Sequence, residues 1–454
     1  MTVIHGHTKI TLTDVKGNKE VIEKDNIITN LVSNVLGSDF YGTLDYNVLL
    51  PMLKNFSGCS LFNSPVTDAD ADTVVIPKGA TVVAHAGDRA YSGEDITAGT
   101  PNLVESGYIT NGYKWVWDWA TSAGNGIINA VSLQRGDCGR GSRNEVDADT
   151  PFMVNISGDT SNVPAGNSIM FKCALFDWEG NRAFEIIREG TKITVNVFGF
   201  CGGTSGLFDT MAYDADKVIK TYEFTLTSTP PSFWSVQYGD NKIILAWTKN
   251  ATSAQYDVID LAANTLTERT CVFSGVRFKT SWYDNYSQYG WRVNLLPVVG
   301  NYIYIPSSDN INCYKCSLVN AADVAQLPTR LKEIPWLFSS NRNAECNSWS
   351  YGAVILENDN LIFNSCAIIN DTVIPTYGWM NQFGTSDYGR IFGGGHRLKK
   401  GVYLVTTNAR SADTKHAYIA LSNDSISTIN ILRTPVNKDS SKTMKLEYSI
   451  TMEE

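Results

Sequence analysis

Between Ser232 and Leu432 one local pattern recurs four times, and it constrains the fold more than any other feature of the chain. The run SFWSVQYGDNKIILAWTKNATSAQYDVIDLAANTLTE reads as a strand, a Gly239-Asp240-Asn241 turn, a second strand, a loop, and a strand ending in Val258-Ile259-Asp260-Leu261. WRVNLLPVVGNYIYIPSSDNINCYKCSLVNAADVAQL repeats it with a turn at Gly300-Asn301. YGAVILENDNLIFNSCAIINDTVIPT repeats it with a turn from Glu357 to Asn360, and HRLKKGVYLVTTNARSADTKHAYIALSNDSISTINIL with a turn from Lys399 to Gly401. A weaker copy lies between 165 and 229, in SIMFKCALFDWEGNRAFEI, KITVNVFGF and KVIKTYEFTLT, and Thr229-Pro230-Pro231 follows it as a break. Each unit spans roughly forty to fifty residues, the length of a four-stranded antiparallel propeller blade. The pattern predicts a β-propeller-like domain over 161–433 with four to six blades, or, failing that, a β-sandwich with long hairpins. No WD or kelch signature is present.

The two ends of the chain carry a different signal. In the tail TPVNKDSSKTMKLEYSITMEE, Met444, Leu446, Tyr448 and Ile450 alternate with Lys445, Glu447, Ser449 and Thr451, the period of a half-buried strand. At the start, HTKITLTDVKGNKEVIEKDNIITNLVSNVL places Ile10, Leu12 and Val15 before a Lys16-Gly17-Asn18 turn. Val21 and Ile22 follow, and a helix start signal lies between Asn26 and Asn30. Further on, Tyr113, Trp115, Trp117 and Trp119 share one face of a strand. A turn over Ser122–Gly126 leads to a second apolar strand, Ile127–Leu133, so the pair reads as a hairpin. The Trp ladder is better suited to a packed sheet face than to a glycan or protein contact. Residues 37–110, with Pro51, Pro65, Pro77 and Pro101, read as long loops on a small sheet.

The layout of strand, Gly-containing turn, strand, N-x-x-T-N and short helix, together with the closing Lys-Thr-Met-Lys strand, resembles virion proteins from the tail modules of bacteriophages infecting Firmicutes. The resemblance covers about sixty residues at the two ends, and the W-x-W hairpin extends it to about residue 160. It implies an all-β chain in three parts. These are an N-terminal, β-sandwich-like virion-attachment module at 1–160, the propeller-like domain at 161–433, and a closing strand at 434–454 returning to the first module. It also implies a tail or baseplate protein serving host attachment and binding a surface glycan. The alternatives are a purely structural decoration or collar protein without a receptor, and a propeller-type polysaccharide hydrolase. Expected partners are other virion proteins and further copies of the chain, with a trimer favoured because unpaired strand edges invite pairing.

Composition narrows the choice. Net charge is −9 and charged residues are only 18%, which disfavours an electrostatic grip on nucleic acid. MTVIHGHTKI lacks the basic and apolar regions of a signal peptide, and no apolar run approaches the roughly 18 residues of a membrane span. The expectation is a chain made in the host cytoplasm and assembled into a virion. Of the nine cysteines, most sit in apolar strand-like runs, as small buried hydrophobes do. Cys313-Tyr-Lys-Cys316 has chelating spacing but no second pair nearby, and on a strand positions i and i+3 point to opposite faces.

Catalytic motifs are absent from the sequence. The five histidines, His5, His7, His85, His396 and His416, have no serine elbow or metal partner at useful spacing, and His5-Gly6-His7 is only a nominal chelate. Asp68, Asp70 and Asp72 begin like a calcium loop, but Thr73 and Gly79 occupy the positions that need glycine and glutamate. Cys201-Gly202-Gly203 and Gly393-Gly394-Gly395 lack the Lys-Ser/Thr of a phosphate loop. Ser386-Asp387-Tyr388-Gly389-Arg390 lacks the closing Thr-Trp of a sialidase box, and no carboxylate pair can be chosen by spacing. No enzyme activity, cofactor or metal is therefore expected. The strongest functional signal is SWYDNYSQYGW. There Trp282, Tyr283, Tyr286, Tyr289 and Trp291 offer flat faces for sugar C–H surfaces, and Asp284, Asn285 and Gln288 offer hydrogen bonds to hydroxyls. Trp349-Ser350-Tyr351 and Tyr377-Gly378-Trp379 with Asn381 and Gln382 are smaller versions of it.

Overall fold

A computed structural model describes residues 3–36, 56–64, 66, 68–88, 95–134, 153–155, 175–177, 180, 182–199, 218–231, 234–280, 292–293, 295–309, 311–330, 353–363, 366–375, 391–408, 415–422 and 424–453. Among these the chain is all-β apart from one seven-residue helix, Asn30–Leu36. It divides into two units, residues 1–154 with 421–454 and residues 155–420.

In chain order the first unit begins with β1 (Val3–Asp14), β2 (Lys19–Ile28), α1 (Asn30–Leu36), β3 (Gly58–Phe62), β4 (Val82–Ala86), β5 (Thr100–Pro101), β6 (Gly107–Ile109), β7 (Gly112–Trp119) and β8 (Gly126–Gln134). There follow β9 (Met153–Asn155), β10 (Leu175–Asp177), β11 (Arg182–Glu189), β12 (Lys192–Gly199), β13 (Val218–Thr225), β14 (Ser235–Gly239), β15 (Lys242–Asn250), β16 (Ser253–Asp260), β17 (Thr265–Val272) and β18 (Arg292–Val293). The second unit continues through β19 (Val298–Val299), β20 (Tyr302–Pro306), β21 (Cys313–Ser317), β22 (Val324–Gln326), β23 (Val354–Ile355), β24 (Leu361–Ile362), β25 (Cys366–Ile369), β26 (Thr372–Pro375), β27 (Ile391–Lys399), β28 (Val402–Asn408) and β29 (Lys415–Ser422). The chain then returns to the first unit as β30 (Ile426–Lys438) and β31 (Lys442–Glu453).

The first unit is one ten-stranded sheet in the order β4-β3-β8-β30-β2-β1-β31-β7-β5, with β6 beside β7. Its centre is the pairing of the two chain ends: β1 runs antiparallel to β31 along its whole length, Val3 opposite Glu453 and Asp14 opposite Lys442. The alternation in the tail sets which face is buried. Leu446, Tyr448 and Ile450 are fully buried, as are Ile10 and, across the strand, Trp117 and Trp119. Each such side chain contributes about 1.5–3 kcal/mol on burial. The Tyr448 hydroxyl, whose ionisation burial pushes upward, bonds to the Thr428 hydroxyl across the interior.

The sheet curls until its two edges meet. The His85 N–H donates to Thr97 O at 3.1 Å, and the Gly99 N–H donates to His85 O at 2.7 Å, bridging β4 to the residues before β5. The indole N–H of Trp117 donates to Gly87 O at 2.9 Å and that of Trp119 to Thr97 O at 3.2 Å, so two rungs of the Trp ladder fasten the seam from inside. A second weak place lies between β2 and β30, which pair only at Ile27–Ile429 and Ile28–Thr428. Beyond it, Lys24 Nζ donates to Ile431 O and Asn430 Nδ2 to Lys24 O at 3.3 Å. The rest of that β2 edge is charged, which discourages pairing with another chain.

These features correct several sequence expectations. Instead of a sandwich of two sheets, the module is a single, nearly closed, barrel-like sheet. β7 and β8 are consecutive but not a hairpin: β30, β2, β1 and β31 lie between them, because β7 pairs with the C-terminal strand. Val15 lies in the β1–β2 turn and is exposed rather than facing the core. Ile426–Leu432 belongs to β30 in this sheet, not to a fourth repeat, which moves the boundary from 433 to about 421.

Among its described residues the second unit holds five sheets, four of them read from the repeats and one from the weaker copy. Four are β10–β13, β14–β17 with β18 beside β14, β19–β22 and β23–β26. The fifth is β27–β28–β29, and its fourth strand is β9, from the beginning of the unit. Neighbouring sheets pack face to face. Leu175, Phe184, Val195 and Phe224 of the first meet Val236, Leu245, Trp247 and Ile259 of the second. Ala254 and Cys271 of the second meet Ile303, Ile305 and Cys316 of the third. Tyr304 and Cys313 of the third meet Leu361, Cys366 and Ile368 of the fourth.

Gly124 tests the seam. Its φ is +63°, and a Cβ there would lie 2.7 Å from Trp119 Cδ1. Gly124→Ala is expected to destabilise the first unit by about 2 kcal/mol or more, read as a lower denaturant midpoint of tryptophan fluorescence. An unchanged midpoint would mean that the Trp119 seat is not required.

Candidate recognition face

The geometry of a four-stranded meander puts its connections at two ends. One end carries the first and third turns; the other carries the middle turn and the link to the next sheet. In the second unit the first end is built from tight turns. Asp240 and Asn241 join β14 to β15 with φ of 51° and 60°, Gly300 has φ 56°, and Gly401 has φ 77°. Asn, Asp and Gly tolerate this left-handed backbone, which explains the recurring G/N-D/N signature.

From the other end the chain leaves and re-enters around the long links, whose residues lie largely outside the described ones; the segment with the aromatic loop is one of them. Leaving β17, the chain runs past two middle turns. The Phe273 N–H donates to Thr252 O at 2.9 Å and the Phe278 N–H to Ala251 O at 2.8 Å. The Lys279 N–H then donates to Pro306 O at 2.9 Å, and the Ser308 N–H to Arg277 O at 2.8 Å. It returns as β18, parallel to β14 with Arg292 opposite Ser235. Trp282, Tyr283, Asp284, Asn285, Tyr286, Gln288, Tyr289 and Trp291 lie outside the described residues, but the segment that carries them leaves from and returns to this end. So do the links 331–352 and 376–390, since β22 and β26 both stop at the middle-turn end of their sheets. Trp349-Ser350-Tyr351, Tyr377-Gly378-Trp379 and Ser386–Arg390 belong to those links and are likewise outside the described residues.

Polar clamps hold successive sheets in register near the tight-turn end, opposite these links. Between the first and second sheets, Asp177 Oδ2 accepts from Arg182 Nε at 3.1 Å, from Arg182 Nη2, and from the Tyr238 hydroxyl at 2.9 Å, while Arg182 Nη2 also donates to Asn241 Oδ1 at 2.7 Å. Burial alone would raise the Asp177 carboxyl. The Arg182 guanidinium, the Gly180 N–H and Tyr238 outweigh it and hold it below the usual range. Burial and Asp177 push the Tyr238 phenol up to about 12. Between the second and third sheets, Gln237 Nε2 donates to Val298 O at 2.8 Å and Gln237 Oε1 accepts from Val298 N at 2.9 Å, so one amide satisfies a whole backbone unit. Between the third and fourth, Lys315 Nζ donates to Asp371 Oδ2 at 2.8 Å and lies 4.7 Å from the centre of the Tyr302 ring. Between the fourth and fifth, Glu357 accepts from Arg397 Nη1 at 3.1 Å and from the Gly401 N–H at 2.9 Å.

The other sequence candidates resolve into structural roles. Trp115, Trp117 and Trp119 are buried in the first unit rather than offered to a ligand. Asp70 Oδ1 accepts from the Asp72 N–H at 2.8 Å, and Asp72 Oδ1 accepts from Asn30 Nδ2 at 2.6 Å, so the acidic run folds its own turn. His5 faces Glu453 at 3.5 Å and His7 faces Asp25 at 3.1 Å, each an exposed pair on the outer side of β1. Cys313 and Cys316 point into different inter-sheet cores, and Gly393-Gly394-Gly395 lies within β27. Cys201-Gly202-Gly203 is outside the described residues. Among the described residues no group of three His, Cys, Asp or Glu could hold a metal ion. Sequence reasoning missed Asp257. It is fully buried on β16, with Oδ1 accepting from Gln255 Nε2 and from the Arg269 N–H at 3.2 Å. Burial pushes its carboxyl up to about 6.

No family model matches the chain, and no curated protein does. Among solved structures it is similar to Kluyveromyces lactis Hsv2, at 7% identity over 76% of this chain and 89% of that one, with a TM-score of 0.22. It is similar to the Dos1 propeller at 7% identity over 74% and 83%, with a TM-score of 0.23. It is similar to Citrobacter koseri AztD at 9% identity over 92% and 98%, with a TM-score of 0.22. Likeness at this level carries neither a function nor a detailed superposition onto this chain.

Gln237 offers a direct test of the clamps. Gln237→Leu keeps the bulk but strands both backbone groups of Val298. The expected loss is about 2–3 kcal/mol, measured as thermal unfolding of the second unit. A variant as stable as the parent would show that water serves Val298 equally well.

Proposed function

We propose that this chain is a bacteriophage tail or baseplate virion protein, in which the barrel-like unit attaches to the particle and the second unit reads a glycan on the host surface. The observation that carries the reading is the pairing of β1 with β31. It builds both chain ends into one module and leaves residues 155–420 as a single insertion, the layout of an anchor bearing a separate recognition head. The terminal resemblance to phage tail proteins agrees with it.

In this reading the five sheets are the blades of a closed five-bladed propeller. β10 of the first sheet lies beside both β14 of the second and β27 of the last, as a ring requires, and β9 completes the last blade. The links at one end carry Trp282, Trp291, Trp336, Trp349 and Trp379, five of the chain's eleven tryptophans. That concentration favours stacking on sugar rings by the Ser281–Trp291 loop, with Asp284, Asn285 and Gln288 orienting hydroxyls. Assembly on the particle as a homotrimer supplies avidity for a repeated glycan.

Two measurements test the reading. Trp282→Ala with Tyr286→Ala is expected to reduce binding to host cells or their purified polysaccharide about tenfold, at about 1 kcal/mol or more per stacked aromatic, with the melting temperature unchanged. A lower melting temperature with no specific binding defect would favour the purely structural virion protein. Light scattering is expected to give three copies per particle of the isolated protein; a strict monomer that also makes no symmetric contact in a virion would overturn the assembly part.

A further inference from the structure

The junction between the first two sheets of the second unit holds two carboxyl groups in opposite situations. Asp177 closes one end of it. Its carboxylate faces Arg182 from β11 and Tyr238 from β14, with Asn241 joined through Arg182, so the bridge spans both sheets and works only while Asp177 is ionised. Tyr222 of β13 is the remaining titratable group acting on Arg182.

Asp257 lies on the face of β16 that packs against the first sheet. It stands directly opposite Leu245 on β15, and Leu245 belongs to the core shared with Leu175, Val195 and Phe224. Its other neighbour, Glu268 on β17, accepts from both the backbone N–H and the hydroxyl of Thr227, at 2.8 and 3.1 Å, where the chain leaves the first sheet. Asp257 is therefore at the seam. Its Oδ1 has two donors, but its Oδ2 is buried and has no hydrogen-bond partner among the described residues. The charged groups acting on it are Glu268 on β17, which opposes ionisation, and Lys249 on β15, which favours it. A buried carboxyl with one unserved oxygen is tolerated as the neutral acid and penalised as the anion.

We propose that this junction is a two-sided acid–base latch: acid opens it by protonating Asp177 in the Asp177–Arg182–Tyr238 bridge, and alkali opens it by ionising the buried Asp257 carboxyl, so that it is tightest in mildly acidic solution and loosens on either side. The signs follow from the two environments. Asp177 is held low, so its contribution is present above the ordinary carboxylate range and is lost as pH falls through the folded value. Asp257 is held high, at about 6, so its contribution is complete in acid and is lost as pH rises from the ordinary carboxylate range through about 6. A group raised by about two units loses about a hundredfold in the closed-to-open ratio once fully ionised.

Hydrogen exchange on the full chain reads this locally. The probes are the amide of Arg269, bonded to Asp257, and its neighbours on β16 and β17, compared with amides of β20 and β21. After correction for intrinsic exchange, protection of the probes is expected to fall about tenfold between pH 5 and pH 8, while the comparison strands change little. In Asp257→Asn the fall should disappear, with protection at pH 8 raised to the level of pH 5. In Asp177→Asn the decline below pH 4 should disappear while the decline above pH 5 remains. Equal protection of the probes in the parent at pH 5 and pH 8, or an equal fall in Asp257→Asn, would overturn the proposal. So would a fall of the same size in every strand of the unit.

Discussion

Everything in the first unit depends on the hydrogen-bonded pairing of the first strand with the last. β1 and β31 lie at the middle of the sheet, and each orders what comes next: β1 holds β2 and β31 holds β7. The interior rows follow from this register. Ile10 stands opposite Leu446, which stands opposite Trp117; Leu12 stands opposite Met444, which stands opposite Trp119. Because these partners are about as far apart in sequence as the chain permits, closing the barrel costs much loop entropy and is slow. The second unit, whose sheets are local meanders, needs no such closure apart from β9. The physical expectation is a second unit that folds early and a first unit that completes last.

The second unit solves a different problem. The second and third sheets there are covered on both faces, so their apolar side chains point both ways and these sheets stack by packing rather than by shared strands. Packing of smooth sheets fixes their separation better than their rotation. The clamps supply direction: a guanidinium fork at Asp177, an amide pair at Gln237–Val298, a lysine between Asp371 and the Tyr302 ring, and a carboxylate cap at Glu357. All sit close to turns, where part of the group reaches water and the desolvation cost is moderated.

Much of this was legible in the sequence, and the failures have physical reasons. The face of β31 followed from period two, and the repeats located the sheets of the second unit through their left-handed turns. The opposite placement of Cys313 and Cys316 followed from strand geometry alone. The β7–β8 pairing failed because a turn signal reports that the chain bends, not which strand becomes the neighbour. The last repeat failed because β30 has the same alternating texture as a blade strand. Asp257 was invisible since alternation normally assigns a polar position to solvent, and that inference collapses where both faces of a sheet are covered. The aromatic loop was visible as chemistry, and the structure adds only the end of the sheets from which it leaves.

The placement of β9 carries a mechanical consequence. The chain enters the second unit through β9 and leaves it through β29, and these two strands are neighbours in the same sheet. Any tension between the two units therefore arrives on a single sheet, along two adjacent strands. The remaining four sheets lie outside the line of force. Under load the weak element is the three-residue strand β9, whose few ladder bonds are the first to be stretched. A connection of this kind would yield by releasing one short strand, lengthening the link while the other sheets keep their packing.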